Sequence, residues 1–168
     1  MIILLLIVVA LISLLAFVKY SLYQSEMKRC YAAAYRMIKE KSLVEAICNQ
    51  KNRRQIESVK MILYLQSMEK GAHGYVFDTE KQIRIGRDAG QNEVVIHDSQ
   101  VSSSHCCIFC YENQLYVQDM HSSNGTRLLR GFRKYRVTEP CVLQSGDRIS
   151  VGETTLKVHI FWFESQFL

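Results

Sequence analysis

The residues with the plainest chemistry crowd into one short stretch, Val101-Ser102-Ser103-Ser104-His105 followed by Cys106-Cys107-Ile108-Phe109-Cys110. A histidine just after serines, with Asp98 upstream, raises nucleophilic catalysis: Ser102 or Ser104 attacking, His105 taking the proton, Asp98 orienting the ring. No nucleophile-elbow motif surrounds these serines, and a histidine entering a strand is ordinarily a core residue with its nitrogens satisfied. The cysteines raise zinc. A strand advances about 3.3 Å per residue, so Cys106 and Cys110 stand roughly 13 Å apart on one face, with Cys107 on the other. One metal cannot bridge that span. Buried small hydrophobes are expected instead, with no catalytic residue, metal or cofactor.

The elements that must position these residues follow from patterning. Residues 74 onward break into short β-rich runs: Tyr75 to Phe77, Gln82 to Ile85, Val94 to His97, His105 to Tyr111, Leu115 to Gln118, Arg148 to Val151 and Thr154 to Phe163. Turn residues punctuate them, with Glu112-Asn113-Gln114 at hairpin distance and Ser145-Gly146-Asp147 and Gly152-Glu153 beyond. Antiparallel strands in a sandwich of ordinary size are expected.

The opening of the chain differs in kind. Ile2 to Val18 is an unbroken apolar run in which Ser13 is the sole polar side chain, at the lower length limit for a spanning helix. It lacks a basic leader and an A-x-A-like cleavage site, so a retained anchor is expected rather than a cleaved signal. Lys19, Lys28, Arg29 and Arg36 follow it against a single Glu26. Basic residues stay on the cytoplasmic side, which predicts a single-pass protein of the cell membrane with its N-terminus outside. Six cysteines without a regular spacing agree with a reducing compartment.

Between these parts, Met27, Cys30, Tyr31, Ala34, Met37 and Ile38 recur at helical spacing, as do Ile56, Val59, Ile62 and Leu63, with a break near Cys48 to Asn52. Two amphipathic helices are expected here. The net charge of +5 is concentrated in this neck: residues 19 to 70 hold eleven Lys and Arg against five acids, whereas residues 71 to 168 hold ten against eleven. A folded module that touched nucleic acid would carry those cations itself, so no nucleic acid is expected as a partner. Anionic headgroups could hold a basic neck against the leaflet, although an amphipathic helix that simply packs its stripe has the same pattern.

Four fragments stand in order across the C-terminal part: Ile85-Gly86-Arg87; Val101-Ser102-Ser103-Ser104-His105; Asp119 with Ser122-Ser123-Asn124-Gly125-Thr126; and Leu143 with Gly146-Asp147-Arg148-Ile149 and Val151-Gly152. Together they resemble the signature of forkhead-associated (FHA) domains, with a bacterial membrane type the nearest in layout. The resemblance implies a mainly β chain: 1–20 a transmembrane anchor, 21–70 a basic helical juxtamembrane segment, and 71–168 an FHA domain of eleven strands. It casts Arg87, Ser102, Ser103, Ser123 and Asn124 as phosphopeptide-binding, with Gly86, His105 and Gly125 supporting the site. The chemistry suits the roles. A guanidinium fork matches two phosphate oxygens, a serine hydroxyl and loop amides add donors, and an Asn amide can fix a peptide's main chain. Two departures stand out. Ser103 occupies a position where many members carry Arg, and Arg130-Gly131 replaces a usual Asn-Gly. Arg127, Arg130, Arg133 and Lys134 are expected to supply positive charge at the rim in compensation.

The function implied is a binding module rather than an enzyme. A Thr-phosphorylated protein, modified in a Ser/Thr kinase pathway, would be recruited to the cytoplasmic face of the membrane. The alternative from a different class is a phosphate-independent structural adaptor that oligomerises, or binds a membrane partner, through its neck and sandwich.

Overall fold

The computed structural model describes residues 1, 7–25, 28, 32, 60–69 and 74–163. The chain divides into two compact units, Met1–Asn52 and Arg53–Leu168. In the first, Ile7–Ser25 forms helix α1, long and apolar enough to cross a membrane. At about 1.5 Å per residue its 19 residues span roughly 28 Å, close to the thickness of a hydrocarbon core. The helix continues past Tyr20, where the anchor was expected to end. No Gly, Pro or Asn interrupts the backbone ladder before Ser25, and Gln24 donates to the Tyr20 hydroxyl one turn back. The expected helix of Met27, Cys30, Tyr31, Ala34, Met37 and Ile38 lies outside the described residues.

The second unit is a β-sandwich of eleven strands: β1 Lys60–Ser67, β2 Gly74–Asp78, β3 Ile83–Gly86, β4 Val94–Val95, β5 Cys106–Tyr111, β6 Gln114–Asp119, β7 Arg127–Arg130, β8 Arg133–Arg136, β9 Cys141–Val142, β10 Arg148–Val151 and β11 Thr154–Phe163. A six-stranded sheet runs β2-β1-β11-β10-β7-β8 and a five-stranded sheet runs β4-β3-β5-β6-β9. All pairings are antiparallel except β3 with β4, where Ile85 meets Val94 in parallel register. The core between the sheets draws Leu63 and Leu65 from β1, Ile83 and Ile85 from β3, Ile108 from β5, Val117 from β6, Leu128 from β7, Ile149 and Val151 from β10, and Leu156 and Val158 from β11. Alternation is visible in β6, where Leu115 and Val117 are buried while Gln114 is exposed. At the β5–β6 hairpin the two turn residues both take positive φ, 48° at Glu112 and 61° at Asn113. That is the primed turn whose twist matches the strands it joins.

One expectation is overturned. Ile62 and Leu63 were read as part of a neck helix, yet they lie in β1, a central strand paired with β2 on one side and β11 on the other. Met61, Ile62 and Leu63 are consecutively buried, at 6%, 0% and 0% exposure. A strand covered on both faces loses its two-residue alternation, so Ile62-Leu63 three residues after Val59 mimicked helical spacing. Ile56 and Val59 themselves lie outside the described residues. The sandwich therefore takes in Lys60–Ser67, which the sequence pattern had assigned to the neck.

If β1 is integral, Leu65→Ala lowers stability by about 2–5 kcal/mol through the cavity it leaves. Urea unfolding of the full chain in detergent, followed by the single Trp162 on the adjacent β11, measures this. A change below about 0.5 kcal/mol, the range for a surface substitution, is incompatible with this strand order.

Candidate functional site

Three loops at one end of the sandwich are hydrogen-bonded to one another: β3–β4 (87–93), β4–β5 (96–105) and β6–β7 (120–126). Ser102 joins all three. Its carbonyl accepts the Arg87 N–H at 3.0 Å, its own N–H donates to Nδ1 of His105 at 3.1 Å, and its hydroxyl accepts the Ser123 N–H at 3.1 Å. Asn124 adds a second tie, its side-chain amide donating to the Gln100 carbonyl at 2.8 Å. Arg87, Ser102, Ser123 and Asn124 are thereby brought together. Ser103 stands beside them with an exposed side chain, its carbonyl accepting from the Asp88 N–H and the Asn92 amide.

Each loop has its own anchor. Gly86 ends β3 where the Ser103 carbonyl and the Asn92 side chain close in, and an added Cβ would lie 2.3 Å from that carbonyl oxygen. Only glycine fits so close an approach. His105 is fully buried, and burial pulls its pKa below the ordinary imidazole value, with the Gly125 backbone pulling the other way. A neutral ring is what Nδ1 needs to accept the Ser102 N–H. Gly125 follows Asn124 at φ +73°, a left-handed conformation costly to a side chain. Gly86, His105 and Gly125 all lie directly beneath or within the loops they were expected to support.

Asp119, at the end of β6, organises the third loop. Its carboxylate accepts the Ser122 N–H and hydroxyl and the Thr126 N–H and hydroxyl, at 3.0, 2.6, 2.9 and 2.6 Å. Partial burial pushes its pKa up, but these donors outweigh burial and hold it below the usual carboxylate value. Asn92 is the support that sequence reasoning missed. Its amide donates to the carbonyls of Asp88 and Ser103, at 2.7 and 2.6 Å, pinning β3–β4 to β4–β5. Nothing in its neighbourhood in sequence marks it, since its partners come from two loops.

Arg87 itself is exposed, and its side chain makes no hydrogen bond or ion pair with any described residue. Ser102 retains its hydroxyl proton after accepting from Ser123, so it can pass a donated bond outward. The site thus offers a guanidinium, hydroxyls and an amide, all suited to an anion attached to a peptide. A separate open groove of about 720 Å³ lies on the flank of the β4–β5 loop, lined by Glu69, Asp98 and Glu153 among others. Three carboxylates make it a poor seat for a phosphate dianion.

Among the described residues, the Ser-His-Asp arrangement raised by the sequence does not form. Asp98 accepts the backbone N–H groups of Gln100 and Glu153, which lower its pKa, rather than the His105 ring. Cys106 is buried and its thiol is pushed up to about 12 by burial, so it holds its proton. Cys107 is buried too, but Cys110, expected to be a buried small hydrophobe, is exposed near the end of β5. Among the described residues no cluster of His, Cys, Asp or Glu is placed to hold a metal. Arg130 also departs from expectation: it is not a free rim cation. Its Nε and Nη2 grip the buried Asp147 at 2.9 and 2.7 Å, and Nη2 also donates to the Val142 carbonyl. A buried carboxylate needs such a partner.

A family model described as FHA domain matches residues 83–152, the span that holds every one of these loops. The chain carries an FHA domain. Among solved structures, the FHA domain of an Arabidopsis thaliana hypothetical protein superposes with a TM-score of 0.55 at 24% identity, covering 70% of this chain and 98% of that one. The FHA domain of a Chlamydia trachomatis protein gives 0.51 at 19% identity, covering 61% and 98%. Mycobacterium tuberculosis EmbR, solved in complex with a low affinity phosphopeptide, gives 0.51 at 25% identity over 58% of this chain. The match spans only 24% of EmbR. No curated protein sequence matches the chain.

Asp119→Asn replaces an acceptor of four bonds with a group that turns two hydrogens toward donors, and lowers stability by about 1–3 kcal/mol near pH 7. Because the folded carboxylate has a depressed pKa, its contribution is full above about pH 4 and is lost as pH falls through the folded value. Urea midpoints for the two proteins accordingly draw together as pH falls below the ordinary carboxylate value. A gap that persists there rules out the charge of Asp119 as the cause.

Proposed function

We propose that this chain is a membrane-tethered phosphothreonine-peptide-binding module that recruits a Thr-phosphorylated protein to the cytoplasmic face of the membrane. The observation that carries the reading is Ser102, which ties the Arg87 backbone to the Ser123 backbone while keeping a hydroxyl proton to donate. In this reading the phosphate lies between the Arg87 guanidinium, the Ser102 hydroxyl, the Ser103 amide and the hydroxyls of Ser103 and Ser123, the Ser123 N–H being given to Ser102. Asn124 holds the peptide main chain; with its amide given to Gln100, its carbonyl oxygen accepts a peptide N–H. The phosphopeptide complex of EmbR supports the assignment by likeness. The phosphate adds roughly −1.5 to −2 charges to a neutral threonine, so one cation and several oriented donors suffice to separate the two forms. A Ser/Thr kinase supplies the modification.

In this reading helix α1 is the tether, and the basic residues that follow it favour a cytoplasmic FHA domain. Protease added to intact spheroplasts should therefore spare the domain and digest it after lysis; digestion before lysis would reverse the topology.

The full chain in detergent binds phosphothreonine peptides and ignores their unphosphorylated counterparts. Arg87→Ala weakens that binding by roughly 30-fold or more, as loss of a charged hydrogen-bonded partner does. Its melting temperature stays within about 2 °C of the parent, since an exposed unpaired side chain contributes little to folding. Equal capture of phosphorylated and unphosphorylated peptides would favour the adaptor reading instead.

A further inference from the structure

Hairpin β7–β8 carries Arg127, Arg130, Arg133, Lys134 and Arg136 without a single acid. Of these, Arg130 alone has a carboxylate partner among the described residues, the buried Asp147. Arg127 and Arg136 face each other directly across the ladder at the end nearest the site. Residues so paired have Cβ atoms about 5 Å apart, and like charges there repel. Neither has a hydrogen bond or ion pair with any described residue, and both are exposed.

Arg136, although exposed, has a neighbour at the loop. It lies against Gly125, where a Cβ would stand 3.0 Å from both its Nε and Nη2. A guanidinium is thus parked on the residue that follows Asn124, uncompensated and beside a second one. The opposite flank of Asn124 has the reverse charge. Asn124 donates to the Gln100 carbonyl, the Gln100 amide donates to Glu153, and the Glu153 N–H donates to Asp98. Along the rim, charge therefore runs from carboxylates through Asn124 to the Arg127–Arg136 pair.

Resting on the phosphothreonine reading, we infer that Arg136, seconded by Arg127, forms an anion seat next to Asn124 that reads a carboxylate side chain flanking the phosphothreonine. Asn124 grips the peptide main chain, so a side chain a few residues from the phosphothreonine falls over Gly125; an extended peptide advances about 3.3 Å per residue. A carboxylate there accepts a guanidinium fork and relieves the repulsion between the two arginines. The same side chain on the other flank meets Asp98 and Glu153. The seat also returns a second cation to a site where Ser103 stands in place of Arg, but at the peptide's side chain rather than its phosphate.

The test uses the full chain in detergent and a set of phosphothreonine nonapeptides in an alanine background, with Asp or Asn placed at each position in turn. Anisotropy titrations should show Asp preferred over Asn by roughly three- to tenfold at one position on one side of the phosphothreonine. Raising NaCl to about 0.5 M should shrink that preference, since the pair is exposed. Arg136→Gln should bring it below twofold while leaving the affinity for the all-alanine phosphopeptide within twofold. Arg133→Gln, at the far end of β8, should leave the preference intact. Phosphate-dependent binding with no acidic preference at any position overturns the seat and leaves the phosphothreonine reading standing. A drop for all peptides alike in Arg136→Gln also overturns it, by placing Arg136 on the phosphate or in the structure of the loop. Absence of any phosphate-dependent binding removes both proposals.

Discussion

The three hydrogen bonds of Ser102 are the constraint on which the rest of the site depends. A β-sandwich fixes the ends of its strands but leaves the loops between them free to diverge, and each loop here carries one piece of chemistry. The Ser102 carbonyl, amide and hydroxyl each bind a different segment, so Arg87, His105 and Ser123 are set by one residue. The partners are themselves constrained. His105 must be neutral and buried to accept the Ser102 amide, Gly86 must lack a side chain to let Ser103 approach, and Asp119 must be ionised to hold the loop that ends at Thr126. Preorganisation of this kind lowers the ordering cost of binding a ligand.

That network explains which parts could be read from the residues alone. The strands over 83–86, 106–111, 114–119, 148–151 and 154–163 were legible because each has period-two burial or a turn at its end. Strand β1 was not, because coverage on both faces removed its alternation. Strands β7, β8 and β9 were missed for another reason: RLLR and RKYR are as charged as a solvated loop, and CV is two residues long. Of the two charged strands, β8 is the edge of its sheet, and edge strands carry such charges routinely, since cations along an edge discourage pairing with another chain.

Within the site, the legible residues were those whose types are chemically demanding, an arginine, a serine and an asparagine near glycines. The parts left unread were supports whose partners lie far away in the chain. Asn92 is unremarkable until Ser103, eleven residues later, supplies a carbonyl for it. Asp119 looks like a strand terminus until four donors from Ser122 and Thr126 turn toward it. Spacing along a chain records local periodicity well; it records convergence of separate loops only where a motif has already been learned.

The five cations of the β7–β8 hairpin show the same limit most sharply. By composition they are equivalent, and all were grouped as rim charge except Arg136, which was overlooked. The ladder separates them. Arg130 falls on the same face as the buried Leu128 and reaches the carboxylate of Asp147, so its charge is consumed inside the fold. Arg127 and Arg136 fall on the other face and at the other end, where Gly125 leaves room for a guanidinium and no described carboxylate pairs with them. A two-residue alternation, combined with which end of the strand abuts the loops, therefore decides whether an arginine holds the domain together or stays available to something outside it.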